Sequence, residues 1–397
     1  MIKRAQWMLV WLASFALVTA ACRDDGPSTD GDGDVDSDAD GDGDVDADAD
    51  GDGDGDGDAD SDGDGDTDAD ADDADADLDD DADADGEYVP TPADVDLEVI
   101  NPMPSGDLIL FNDWNATPNA IRAVRSDGSE VVDVLSIARA WSFGVSRDGA
   151  LMALSGAQWD EGGHWDVPDL GDAIQYTWLL DIASGDLRLL TGGNVNDECH
   201  TFSPDGSSVL VCRRWDFRFD GSSYLWEGYQ IARIDIATAT SEMIGDPDVQ
   251  ALSPQLSEDE SVLYYTQYEL VGGHPHFSIV VRDLSDDTEE LVRDNARGPA
   301  FSPDWSRFAF QDYDDGGRLH VMAPDGSDEV TVTAGAVTDP SFSPDGTHIA
   351  HLVSESMDCS HIEVVSADGS DADAPVRVRS CHDADEMITA IAWVEIP

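Results

Sequence analysis

A five-residue motif returns along this 397-residue chain and constrains its fold more than any other feature. It reads Phe-Ser-Pro-Asp-Gly at residues 202–206 and 342–346, and Phe-Ser-Pro-Asp-Trp at 301–305. Degraded copies lie at 145–149 and 256–260, so that the five serines are separated by 57, 54, 45 and 41 residues. A repeat of this length indicates a fold in which one supersecondary unit is stacked several times.

Each copy of the motif predicts a tight turn between two strands. Proline pre-sets the φ angle of the first corner, aspartate caps the turn through its side chain, and glycine accepts left-handed backbone geometry. An apolar run follows each turn, and then a second β-rich run and another turn. Four short strands in a unit of about 40 to 50 residues are typical of a propeller blade.

Two copies of the motif lack the final glycine and carry Glu260 or Trp305 in its place. A residue with a Cβ atom at a left-handed position costs about 1 kcal/mol. We therefore expect these two turns to be reshaped.

The repeat resembles that of TolB-type β-propellers, in which a WD-like unit reads FSPDG, apolar strand, second strand and turn. The resemblance covers residues 100–397 and implies an all-β fold. The last β-rich run, residues 388–393, has no following strand, and residues 105–111 resemble the missing second half of the same unit. We therefore expect the C-terminal strand to complete the N-terminal blade, closing a ring of six blades without an unpaired edge at the junction.

Residues 1–21 predict an export signal, because two basic residues precede an apolar run and two alanines precede Cys22. The junction resembles a bacterial lipobox, which implies cleavage before Cys22 and acylation of this cysteine. The alternative is an uncleaved membrane anchor, which needs about 20 apolar residues, more than this run contains. Both interpretations predict export. Arg23 favours anchoring at the outer membrane, since it does not resemble the aspartate that retains some lipoproteins at the inner membrane; periplasmic and surface exposure both stay open.

Residues 22–86 predict a disordered, extended tether. Residues 30–86 contain 30 aspartates and no basic residue, so this stretch cannot bury a core and repels itself. Its Asp-Gly runs resemble the ligand-rich part of calcium loops, but no run is followed by the glutamate that closes such a loop. We expect no cofactor beyond weak calcium association with this tether.

Residues 87–397, the predicted propeller, contain 56 acidic and 16 basic residues and so carry a net charge of −40. This charge excludes a nucleic-acid partner, because phosphate binding needs a basic face.

The four cysteines of the predicted propeller fall into two pairs. Cys199 and Cys212 flank the turn at 202–206, and Cys359 and Cys381 flank a second turn, Ala-Asp-Gly. An oxidising compartment predicts a disulfide in each pair. The alternative is four free buried thiols.

The face opposite the FSPDG turns is the predicted binding face, because three neighbouring blades carry insertions there, at residues 158–174, at 213–226 and around 274–276. Aromatic loops on a rigid scaffold suit a peptide loop or a sugar ring. The candidate residues are Trp159, His164, Trp165, Trp215, Phe217, Tyr224, Trp226, His274 and His276. The alternative is that the aromatics form local cores that cap the blades. The histidines show no regular ligand spacing, so we expect them to be exposed and predict no metal site.

No catalytic motif is present: the chain has no Gly-x-Ser-x-Gly elbow, no phosphate-binding glycine loop and no His-Glu-x-x-His. We expect a monomeric, non-catalytic propeller, anchored to the membrane through its N-terminal lipid, that binds a protein or acts as a scaffold. The resemblance to TolB implies a partner in the cell envelope. The alternative is a carbohydrate-binding or metal-dependent hydrolytic propeller that uses the aromatic loops.

Overall fold

The computed structural model of the protein describes residues 97–113, 119–137, 142–157, 175–192, 195–219, 224–356, 359–381 and 388–397, with backbone only at 157, 215–219 and 224–227. All of these residues belong to one compact unit of the chain. The predicted export signal, Cys22 and the acidic tether lie outside the described residues. The described residues form no helix that is long and apolar enough to cross a membrane.

The described residues form 25 strands in six blades. Blade 1 contains β1 (Glu98–Val99), β2 (Gly106–Asp113), β3 (Ala120–Arg125), β4 (Val132–Ser136) and, from the other end of the chain, β25 (Ile388–Ile396). Blade 2 contains β5 (Phe143–Val145), β6 (Leu151–Ala157), β7 (Gln175–Asp181) and β8 (Leu187–Leu189). Blade 3 contains β9 (Val195–Phe202), β10 (Ser208–Phe219), β11 (Tyr224–Asp235) and β12 (Ser241–Met243).

The remaining three blades follow the same plan. Blade 4 contains β13 (Gln250–Leu256), β14 (Val262–Val271), β15 (His274–Asp283) and β16 (Glu289–Asp294). Blade 5 contains β17 (Ala296–Phe301), β18 (Phe308–Asp312), β19 (Arg318–Met322) and β20 (Val330–Thr331). Blade 6 contains β21 (Thr338–Phe342), β22 (His348–Ser356), β23 (Cys359–Ser366) and β24 (Val376–Ser380).

Every blade is an antiparallel sheet, and the first blade is shared between the two ends of the chain. Its strand order is β25-β2-β3-β4-β1, with β25 paired to β2 from Gly106↔Ile396 to Asp113↔Ile388. The first strands of the blades contact one another in sequence around the whole ring, from β5 through β9, β13, β17, β21 and β25 back to β5. The predicted closure by the C-terminal strand is therefore confirmed, and the first strands surround a central channel.

Six hydrophobic clusters hold the ring together, one at each interface between neighbouring blades. Successive side chains of a strand point to opposite faces of a sheet. In β10, Val209 and Val211 accordingly pack toward blade 2, whereas Leu210 packs toward blade 4. In β2, Leu110 packs toward blade 2 and Phe111 toward blade 6. Both faces of these strands are buried, which explains why they read as continuous apolar runs.

All five copies of the repeated turn keep one hydrogen-bond pattern. In each, the serine hydroxyl donates to the aspartate Oδ1 two residues later, over 2.7 or 2.8 Å, and the same oxygen accepts the backbone N–H of the residue two positions further on. The fifth residue is left-handed in every copy, with φ of 68° at Gly149, 71° at Gly206 and Gly346, 57° at Glu260 and 58° at Trp305.

The expectation that the turns at Glu260 and Trp305 are reshaped is therefore wrong. The hydrogen bonds of the serine and aspartate hold the left-handed geometry in spite of the Cβ atom. Each side chain also gains a contact that glycine could not make: Glu260 pairs with Arg233, and the ring of Trp305 lies 4.7 Å from that of Phe301.

Trp393 anchors β25, the strand that closes the ring. Its side chain is buried in the cluster between blades 1 and 6, and its Nε1–H donates to the Asp107 carboxylate. We predict that Trp393→Ala lowers the free energy of unfolding by about 3–5 kcal/mol in urea titrations, because it leaves a large cavity. Val376→Ala, at an exposed residue of β24, is the matched control and should change stability by less than about 0.5 kcal/mol. Equal effects of the two substitutions would contradict the role of Trp393 in closure.

The repeated turns predict a loss of stability in acid. Backbone hydrogen bonds, followed by those from the serine hydroxyls, lower the pKa of Asp205 and Asp345 to about 2. Because these pKa values lie below the unfolded value of about 3.9, the carboxylates stabilise the fold above about pH 4, and this contribution is lost as the pH falls toward 2.

We predict that the difference in unfolding free energy between the wild type and the double variant Asp205→Asn, Asp345→Asn shrinks as the pH falls from 5 to 2. Asparagine keeps an acceptor oxygen but does not titrate. Urea titrations at a series of pH values measure the difference, and subtraction removes the titration of the carboxylates that both proteins share. A difference that stays constant across this range would show that the two turns do not supply the acid sensitivity.

Candidate functional site

The insertion of blade 3 is a β-hairpin and not the loop expected at residues 213–226. Strands β10 and β11 extend through it, with Phe219 paired to Tyr224 and Trp215 to Glu227. The alternation of aromatic and polar residues over 215–219 has the period of a strand, and this is the signal that identifies the hairpin. The candidates Trp215, Phe217, Tyr224 and Trp226 lie on its backbone. Trp159, His164 and Trp165 lie in 158–174, outside the described residues.

The insertion of blade 4 is also a hairpin, so that His274 and His276 lie in β15 and not in a loop. A two-residue turn, Gly272-Gly273 with φ of 61° and 85°, connects β14 to β15, as such hairpins require. His274 is exposed. His276 is half-buried, with its Nε2 3.2 Å from Asp294 and its Nδ1 3.5 Å from Glu269. Neither histidine belongs to a group of metal-ligating side chains among the described residues.

One of the two predicted disulfides is present. Cys359, the first residue of β23, is bonded to Cys381, just after β24. Cys199 and Cys212 are present as neighbouring free thiols, so the disulfide between them stays a prediction. Cys199 lies at a β-bulge, with φ of 57° and a register shift that pairs Cys212 with Glu198 in the ladder. Burial raises the pKa of Cys212, and the neighbouring Cys199 thiol raises it further.

The bulge at Cys199 is one of four that occupy the same position in the first strands of blades 3 to 6. Each lies three residues before the first residue of the repeated turn and has left-handed φ: 57° at Cys199, 52° at Ser253, 66° at Gly298 and 50° at Asp339. A register shift occurs at each. Proline follows the last three and His200 follows the first. Proline cannot donate to a strand ladder, so this recurring proline is the sequence signal for the bulges.

Five side chains meet at the end of the channel opposite the FSPDG turns, and we name them the Arg297 cluster: Phe277, Arg297, Gln311, Tyr313 and Asp339. Arg297 is the second residue of β17, and Tyr313 directly follows β18, so both lie at the end of blade 5 that faces away from the turn at 302–305. Arg297 donates its Nε–H to Gln311 Oε1 over 2.8 Å.

The guanidinium of Arg297 lies beside two aromatic rings. Its central carbon is 5.5 Å from the centroid of Phe277 and 5.6 Å from that of Tyr313. The two rings stack with centroids 5.8 Å apart and planes 25° apart. Cation–π attraction at this range stabilises the guanidinium in place by about 0.5–2 kcal/mol.

The cluster contains two titratable groups besides Arg297, the carboxyl group of Asp339 and the phenol of Tyr313. Asp339 is exposed, yet removal from bulk water raises its pKa while the charge of Arg297 opposes the rise. Burial raises the pKa of Tyr313, with Arg297 opposing and Asp339 adding to the rise. The Tyr313 hydroxyl has no hydrogen-bond partner among the described residues.

The Arg297 cluster is equipped for binding. It offers a cation, a phenol, a carboxyl group and two ring faces. A guanidinium carries five N–H donors in a planar fork and suits a carbonyl or carboxylate acceptor.

A second polar group, in blade 5, could be mistaken for a metal site. Ligand atoms of Asp312, His320 and Glu329 lie within 4.8 Å of one another. Arg293, however, donates to Asp312 over 3.0 Å and to Glu329 over 3.3 Å, and His320 lies 2.8 Å from Glu329. A metal cation would be repelled by the guanidinium already bound there, so this group is an ion-pair network.

No family model matches the chain, and no curated protein matches it. Among solved structures, TolB from Acinetobacter baumannii has a TM-score of 0.54 at 17% sequence identity, with 75% of this chain and 68% of that one covered. The chain folds as a TolB-like six-bladed β-propeller. The resemblance found in the repeats is thereby confirmed at the level of the fold.

Two further structures resemble this TolB-like propeller. Hydrazine synthase from Kuenenia stuttgartiensis has a TM-score of 0.53 at 12% identity, covering 74% of this chain and 47% of that one, so the chain spans about half of its length. A protein from Agrobacterium tumefaciens described as a TolB has a TM-score of 0.48 at 15% identity, covering 74% and 99%. At such identities the likeness concerns the fold and not the activity.

Proposed function

We propose that the chain is a lipid-anchored envelope protein whose TolB-like propeller binds a partner protein at the Arg297 cluster without catalysing a reaction. The observation that carries the proposal is the guanidinium of Arg297 placed beside two stacked rings at one end of the channel. Arginine and aromatic side chains supply a large share of the binding energy at protein interfaces. The ring of blades holds them on rigid strands, so little conformational entropy is lost on binding.

The shape and polarity of the site favour an extended segment of the partner, such as a loop or a chain terminus. Main-chain carbonyls or a terminal carboxylate match the donors of Arg297, and an amide N–H matches the carboxyl group of Asp339. The net charge of −40 over residues 87–397 favours a partner whose surface is basic around the inserted segment.

Export is the second part of the proposal. The disulfide between Cys359 and Cys381 is typical of an oxidising compartment. The signal-like residues 1–21, with acylation of Cys22, supply the anchor at the outer membrane, and the aspartate-rich residues 22–86 act as a spacer. The carbohydrate-binding or hydrolytic alternative depends on the aromatics of 158–174 and 215–227, whose side chains lie outside those that the structure describes.

Site-specific photo-crosslinking in native membranes tests where the partner binds. Tyr313→p-benzoylphenylalanine in the full chain should give an adduct of discrete mass on illumination. Trp305→p-benzoylphenylalanine is the matched control, because Trp305 is an aromatic residue of the same blade at the opposite end of the channel. We predict no adduct of that mass from position 305.

The same experiment is repeated with Arg297→Gln added to the protein that carries the crosslinker at position 313. This substitution should reduce the yield of the adduct at least about tenfold, equivalent to roughly 1.4 kcal/mol of binding free energy. Arg307→Gln, a matched change on the FSPDG side of blade 5, should leave it unchanged. Circular dichroism first establishes that each variant is folded. The proposal is wrong if position 313 gives no adduct, if positions 313 and 305 give an adduct of the same mass, or if Arg297→Gln leaves the yield of the adduct unchanged.

A further inference from the structure

The disulfide of blade 6 lies beside a third metal-ligating side chain that the proposed function does not use. His361 is fully buried in β23, and its Nδ1 is 3.6 Å from Cys381 Sγ. The ligand atoms of Cys359, His361 and Cys381 all lie within 4.8 Å of one another. Cys359 and His361 are two residues apart in one strand and therefore share a face of the sheet. Cys381 is likewise buried.

The other ring nitrogen of His361 is held by a carboxylate. Its Nε2 lies against Oε1 of Glu355, which also lies 3.7 Å from Nη1 of Arg377. Nδ1 is therefore the ring nitrogen that faces the sulfurs, and Nε2 lies on the carboxylate side of the ring. A carboxylate behind a histidine in this way is the arrangement that orients zinc-ligating imidazoles in proteins.

We propose that, when the Cys359–Cys381 disulfide is reduced, these two cysteines and His361 bind a soft divalent cation of the zinc class. A dithiol reductant supplies two electrons and two protons, which convert the disulfide into two thiols while the dithiol itself becomes a disulfide. Metal binding then displaces both thiol protons, so that two thiolates and one neutral imidazole coordinate the ion. The fourth position of the tetrahedron is left for water or another ligand.

The distances are compatible with both states of the pair. Tetrahedral zinc with Zn–S bonds of about 2.3 Å places two sulfurs roughly 3.8 Å apart, compared with about 2.0 Å in a disulfide. The Cα atoms of Cys359 and Cys381 are 5.3 Å apart, a separation from which side-chain rotation reaches either arrangement. A disulfide sulfur is a poor ligand, so the oxidised and metal-bound states exclude each other.

The ligand types also separate this site from the aspartates of the N-terminal segment. Thiolate and imidazole select zinc-class ions, whereas carboxylates of residues 30–86 suit hard cations such as calcium. Cobalt(II) distinguishes the two by spectrum, because only thiolate ligands give an intense charge-transfer band and only tetrahedral cobalt gives strong visible bands.

The test uses the full chain with its other thiols removed, as Cys22→Ser, Cys199→Ser and Cys212→Ser. The protein is reduced with dithiothreitol, freed of it by anaerobic gel filtration and titrated with cobalt(II). We predict one equivalent of cobalt with both thiolate and tetrahedral bands, displaced by one equivalent of zinc, and neither band when the same protein is oxidised.

Two substitutions compare the ligand with a matched histidine. His361→Gln should weaken cobalt binding at least about tenfold, and Glu355→Gln, which leaves all three ligands in place, should weaken it about 10- to 100-fold. His351→Gln, at a buried histidine of the neighbouring strand β22, should leave affinity unchanged. Urea titrations establish whether the reduced variants are folded. If His361→Gln does not fold, the cobalt affinity of Glu355→Gln decides the test. The proposal is overturned if the reduced protein gives only the weak spectrum of oxygen-bound cobalt, or if Glu355→Gln binds like the wild type.

Discussion

Each blade of this protein has two apolar faces, and the rest of the structure depends on that constraint. Val209, Leu210 and Val211 are consecutive and fully buried, which is possible only when another sheet packs on either side of β10. An open row of blades would leave an apolar face at each end, and exposed patches of that size cause association. A closed ring buries every face, and in this chain the last strand, β25, completes it by pairing with β2 in blade 1.

The closed ring then determines where binding can occur. The first strands contact one another around the channel, and four of them carry a bulge at the same position. A bulge interrupts the hydrogen-bond ladder and twists the strand. Gly298 and Asp339 are two of these bulged residues, and Arg297 directly precedes one of them. The Arg297 cluster is thus built from a recurring irregularity of the inner strands, and its position follows from the repeat even though its residue types do not.

How much the sequence predicts depends on whether the signal is local. The repeated turn is encoded in five residues, and its serine and aspartate make the same hydrogen bonds in every copy, so the blades and their number follow from it. Ring closure could be inferred because the two ends of the chain resemble halves of one unit. Counting from the turn places Cys199 beside Cys212, and the two thiols are neighbours in the structure, although the bulge at Cys199 inserts one residue and pairs Cys212 with Glu198 in the ladder.

The Arg297 cluster could not be predicted for a different reason. Its residues come from three blades and span 62 positions, from Phe277 to Asp339. Only the curvature of the ring brings Phe277 of blade 4 and Asp339 of blade 6 to the same arginine. The insertions, in contrast, were recognisable by length, and the alternation within 215–219 shows that one of them continues the sheet.

The propeller has many more acidic than basic residues, and this makes the surroundings of Arg297 informative about where a ligand binds. Aspartates at the turns accept hydrogen bonds from backbone N–H groups and hydroxyls, which lower the pKa of Asp205, Asp259 and Asp345 to about 2. These carboxylates therefore stabilise the fold. Three arginines also stabilise it by pairing with a carboxylate: Arg213, Arg282 and Arg293. Arg297 instead donates to the neutral Gln311 and lies beside two aromatic rings, and the charge nearest to it is that of Asp339.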